Sequence, residues 1–139
     1  MNHKDTKAQR ETEAISLEVN ELARQVVDAA FHVHKNLGAG LLESVYEACL
    51  CHELTQRRVP FQKQVVLPVI YDGLEIEAGL RIDLWVDHKL IVELKAVEQM
   101  HEVHQAQLMT YMKLTNTRLG LLINFNVPTI KQGIKRIIL

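Results

Sequence analysis

After a charged start, apolar residues recur at three- and four-residue steps: Ile15, Val19, Leu22, Val26, Ala30, Val33 and Leu37. That spacing draws one stripe along a long helix, which Gly38 ends as a C-cap. A second helix is expected from about Leu41 to Arg58, with Leu42, Val45, Cys49 and His52 along one face, until Pro60 stops it. From Phe61 the pattern turns extended: Phe61 to Tyr71, a turn at Asp72-Gly73, Leu74 to Val86, a short loop, then Leu90 to Val97. This is an antiparallel meander, and Pro68 makes its first strand an edge or bends it there. A third helix, His101 to Thr115, leads to a short apolar strand, Leu119 to Phe125, and to a last segment ending Ile134 to Leu139. The expected fold is α/β, a mixed central sheet of the meander plus a further strand, flanked by helices.

With 139 residues, 47% of them hydrophobic and 24% charged, the chain can bury one substantial core. A single domain is expected over residues 15–139, with residues 1–14 frayed. No apolar run approaches the roughly 20 residues that span a bilayer, and Met1 to Glu13 lacks the apolar stretch of a signal peptide, so no membrane association and a cytoplasmic location are expected. Cys49 and Cys51, two apart on a helix, point in different directions and read as buried, unpaired thiols. The formal charge is −1, but residues 113 to 139 contain no acid, whereas 59 to 112 carry eight acids against four bases. An acidic pocket beside a basic flank fits that asymmetry, and so does a solvated basic tail.

Acid-x-lysine occurs three times, as Asp5-Thr6-Lys7, Asp87-His88-Lys89 and Glu93-Leu94-Lys95, and only the last lies inside an apolar strand. Strand alternation puts Leu90, Val92 and Leu94 on one face and Ile91, Glu93 and Lys95 on the other; on the preceding strand Ile82, Leu84 and Val86 oppose Arg81, Asp83 and Trp85. A three-residue loop of Asp87-His88-Lys89 pairs Leu84 with Val92 and sets Asp83 opposite Glu93, while a slip of one residue would put Asp83 on the apolar face. Two carboxylates about 5 Å apart at Cβ repel unless a positive charge lies between them. Carboxylate oxygens, with the Leu94 carbonyl to complete the shell, suit Mg2+ or Mn2+. Lys95 is placed to orient an attacking water and to offset charge on a phosphate, which points to metal-assisted phosphodiester hydrolysis. The plainer alternative is a cross-strand pair that Lys95 neutralises on a solvated face.

The stretch Gly40-Leu41-Leu42-Glu43-Ser44-Val45-Tyr46 resembles the motif of the GxxExxY proteins of the PD-(D/E)XK nuclease superfamily, a likeness that runs from about Val26 to the C-terminus. The resemblance implies a restriction-endonuclease-like core in which Asp83, Glu93 and Lys95 form the metal site and Glu43 joins from a helix. Gln107-Leu108-Met109-Thr110-Tyr111 looks like the QxxxY motif of RecB-like nucleases. Residues four apart share a helix face, so Gln107 and Tyr111 can both turn to the sheet and support the lysine, a metal-bound water or a phosphate. Ile82, not proline, precedes Asp83, a departure that many members of the superfamily share and that removes no ligand. Tyr46 is expected to hydrogen-bond Glu43, or else simply to pack.

His101 and His104, one turn apart, could hold a metal; the preferred place for His104 is near the active-site face. His32 and His34 read as surface or packing residues, and Gly38-Ala39-Gly40 as a tight turn, not a phosphate loop. The function expected is a Mg2+-dependent nuclease acting on DNA or RNA. The rivals are a catalytically weak nucleic-acid-binding or assembly module that keeps the fold, and hydrolysis of a small phosphorylated molecule. The stripe of the first helix is either an intramolecular packing face or part of a homodimer interface.

Overall fold

Ser16 caps the first helix, its hydroxyl accepting the Val19 N–H at 3.2 Å, and Gly38 at φ +70° ends it. The computed structural model describes residues 15–139, except the side chain of Ala78; the expected fraying of 1–14 lies outside them. Helix α1 (Leu17–Leu37) is followed by α2 (Glu43–Gln56), then by strands β1 (Phe61–Tyr71), β2 (Leu74–Val86) and β3 (Leu90–Lys95). Helix α3 (Glu102–Thr115) leads to β4 (Leu119–Asn124), a one-turn helix α4 (Ile130–Gly133) absent from the sequence reading, and β5 (Ile134–Ile138).

The five strands form one sheet in the order β1-β2-β3-β4-β5, antiparallel throughout except for β3 against β4. That parallel pair needs a crossover, which α3 supplies. Strand β1 is an edge, and its register with β2 shifts between Leu67 and Val69, so Pro68 marks both an edge and an irregularity. One core lies between the sheet and α1 and α2: Val26, Ala30 and Val33 meet Leu50, Leu54, Leu84, Val92 and Leu121. The other lies under α3, where Leu108, Tyr111 and Met112 cover Ile82, Ile91 and Leu122. The α1 stripe is thus an intramolecular face over most of its length. Among the described residues no helix is long and apolar enough to cross a membrane.

Several expectations are corrected. The buried face of α2 is Tyr46, Leu50 and Leu54, whereas Leu42 is 73% and Val45 38% exposed and His52 is exposed. Tyr46 fixes that rotation. It stacks on Phe125 with ring centroids 4.5 Å apart, and its hydroxyl donates to the Gly38 carbonyl at 2.6 Å while accepting the Leu41 N–H at 3.1 Å. Tyr46 therefore closes the turn through Gly40, at φ +97°, and does not bond Glu43. The strict alternation read for β2 also fails at Ile82, which packs under α3 with Ile91 and not with Leu84. Cys49 and Cys51 are unpaired, as expected, but only half-buried. His34 is buried and bonds the Val127 carbonyl through Nε2 at 2.9 Å, while His32 lies 3.1 Å from Glu53.

Candidate active site

Strands β2 and β3 pair at Val86–Leu90, Trp85–Ile91 and Leu84–Val92, the predicted register, and then part. Beyond that point side chains replace the ladder. The Asp83 N–H donates to Glu93 Oε2 at 2.7 Å, and the Leu94 N–H donates to Asp83 Oδ2 at 2.8 Å. Since the Phe125 N–H already takes the Lys95 carbonyl at 2.9 Å, the polar groups of Leu94 look the other way, into the gap beside β2. Each acid is thus held by the other's strand. Strand β3 stops at Lys95, short of the expected Val97. There Asn124, buried at the end of β4, takes the Val97 N–H at 3.1 Å with Oδ1 and donates to the Val97 carbonyl at 2.9 Å.

Burial dominates the electrostatics of this gap. Glu93 is 3% exposed, and burial, then the charge of Asp83, pushes its carboxyl up to about 8 against the pull of the Asp83 N–H and Lys95. Asp83 is raised by burial, with the charge of Glu47 adding to it and the Leu94 N–H, Lys95 and Gln64 opposing it. Glu43 is raised too, by burial and then by Asp83 and Glu47, while Lys95 lowers it. The charge of Lys95 therefore reaches Glu43, Asp83 and Glu93, though among the described residues it forms no ion pair with them within 4 Å, and the acids in the cluster outnumber it.

Two members went unnoticed in the sequence. Glu47 sits one turn beyond Glu43 on α2 and accepts the Gln64 amide at 2.8 and 3.0 Å; the same amide reaches Asp83 Oδ1 at 3.4 Å. The four-residue step from Glu43 to Glu47 is a legible signal, because it keeps both acids on one helix face. Nothing in the pattern marks Gln64.

From the other face, α3 brings Tyr111 within range of the charges of Glu93 and Asp83. Burial raises the pKa of its phenol, whose oxygen accepts the Arg81 N–H. Gln107 is half-buried and lines an open depression of about 490 Å³ with Val103, His104, Ala106 and Thr110; among the described residues no hydrogen bond joins it to Lys95. His104 Nδ1 accepts the His101 N–H at 3.2 Å, and burial, with the charges of Lys95 and His101, lowers its pKa. It caps α3 and stands toward Lys95. A cavity of about 550 Å³ between the start of α3 and β5, lined by Met100, Gln105, Asn124 and Lys135 among others, includes none of Glu43, Asp83, Glu93 and Lys95.

Carboxylates and a main-chain carbonyl are hard oxygen donors, and burial of several acids around one lysine suits a small divalent cation. Among the described residues no three His, Cys, Asp or Glu side chains form a converged metal cage. The donor chemistry fits such an ion, which would offset the repulsion among the acids. Residues 20–137 match the PD-(D/E)XK nuclease superfamily, and the chain belongs to it. Comparison with curated proteins and with solved structures gave no match.

Proposed function

We propose that this chain is a Mg2+- or Mn2+-dependent nuclease that hydrolyses phosphodiester bonds of DNA or RNA. The observation that carries the reading is the exchange between β2 and β3, in which Asp83 and Glu93 replace ladder bonds beside Lys95 and Glu43. Asp83, Glu93, Glu43 and the Leu94 carbonyl would hold the ion. When bound, the ion supplies Lewis acidity at the phosphate and compensates the acids. Lys95 positions the attacking water and offsets charge on the phosphate. Tyr111, whose oxygen already accepts the Arg81 N–H, keeps its own proton to donate, and Gln107 lines the approach. The turn that Gly40 makes and Tyr46 closes sets Glu43 at the start of α2, which supports a GxxExxY-type member with a RecB-like QxxxY helix.

The test is incubation of single- and double-stranded DNA and RNA with the protein and either metal, beside Glu93→Ala and Lys95→Ala. Cleavage is expected, falling by at least about 10²-fold in each variant. Uncut substrates, or variants that cut as fast as the parent, sink the reading. A binding or assembly module without turnover draws support from the main-chain partners that Asp83 and Glu93 already have. It would retard nucleic acid in a gel and cut none.

A further inference from the structure

Gln64 falls between Lys63, opposite Leu84, and Val65, opposite Ile82, so it faces Asp83 across the β1–β2 ladder. Its φ is +53°, a left-handed conformation that costs a residue with a Cβ some stability and that a strand does not otherwise require. The half-buried side chain makes two contacts from one nitrogen: to both oxygens of Glu47, at 2.8 and 3.0 Å, and to Asp83 Oδ1 at 3.4 Å. An amide NH2 has two hydrogens, so one serves each acid. Asp83 is then held at both oxygens, Oδ2 by the Leu94 N–H and Oδ1 by Gln64, with a lone pair of each left over.

We propose that Gln64 is a positioning residue of the metal site, tethered by Glu47 so that its amide fixes the orientation of the Asp83 carboxylate. This rests on the reading of the cluster as a metal centre. The unfavourable backbone is the cost of turning the amide inward, and Glu47 is its anchor, not a ligand. Groups that orient a metal-binding carboxylate typically contribute ten- to a hundredfold in affinity.

The test is titration of the whole chain with Mn2+ alone, the free ion followed by EPR, together with melting in EDTA. Gln64→Gly is expected to melt no lower than the parent, because glycine adopts φ +53° without strain, yet to bind Mn2+ about tenfold more weakly. Glu47→Gln keeps an acceptor for the amide but gives up a charge that acts on Asp83, so it is expected to lose less affinity than Glu47→Ala, which loses about tenfold. The Glu47 pair decides the matter if Gln64→Gly unfolds early. Parent-like binding by Gln64→Gly, or equal losses in the two Glu47 variants, overturns the tether alone. A parent chain that takes up no Mn2+ overturns the metal centre and the tether with it.

Discussion

Tyr46 joins three elements through one side chain: its ring lies on Phe125 at the end of β4, and its hydroxyl spans Gly38 and Leu41 on either side of the turn that delivers Glu43. Tyr46→Phe keeps the stacked ring and removes the partner of a part-buried N–H and of a carbonyl, so a loss of about 1–2 kcal/mol is expected in urea denaturation. Because the turn precedes Glu43 directly, cleavage should fall along with stability. A Phe variant as stable as the parent would show that the hydroxyl does not hold the turn. At this scale the sequence was legible where a residue's place follows from its neighbours in the chain, as for Gly38 and Gly40 in the tight turn between two helices. It was silent where the role depends on a departure from regular structure, as for Gln64, whose alternation on an ideal strand says nothing of a left-handed backbone. For Tyr46 the packing alternative holds and the bond to Glu43 does not, because its partner, Phe125, lies far along the chain.

The elements were read closely, with strand limits in β1 and β2 as expected and the hairpin register correct over three pairs. Periodicity fails on the orientation of α2, because that helix carries two apolar stripes and the contacts that turn Tyr46, Leu50 and Leu54 inward are made with residues far along the chain. Alternation also breaks near Asp83, where side chains take over the main-chain bonds. The short α4 has too few residues to show a period, yet it matters to the site. A Cβ on its last residue, Gly133, would run into the Asn124 carbonyl oxygen, and Asn124 is the residue that ends β3 at Lys95. Gly133→Ala should therefore cost about 1–3 kcal/mol, since backbone must move. Gly120→Ala should cost less, because its new methyl first meets the flexible Met112 Sδ at 2.7 Å. Thermal melting of the two variants checks the order, and equal or reversed losses would contradict this account of how β4 and α4 fit.

On the scale of the whole molecule, the fold holds several acids in one partly closed gap, and their shared strain should appear as a pH dependence of stability in metal-free protein. Glu93 has a folded pKa of about 8 against an ordinary 4.5, so between those values the folded state holds a proton that the unfolded state has released. Stability then falls as pH rises through this window and levels off above 8. Asp83 and Glu43, also raised, act in the same direction. His104, lowered from 6.5, acts oppositely, but only in acid; above pH 7 it is neutral in both states. Between pH 7 and 9 the parent in EDTA should therefore lose about 1.4 kcal/mol more than Glu93→Gln, which has no proton to release. Mg2+ should reverse the trend, because it binds the ionised acids of the folded chain and not the unfolded one, so that stabilisation grows with pH. Urea denaturation of both proteins at pH 7, 8 and 9, with EDTA and with Mg2+, measures each part. Parallel pH profiles for parent and Glu93→Gln would mean that Glu93 is ionised at little cost in the folded chain, and the tightly enclosed carboxylate described here would have to be abandoned.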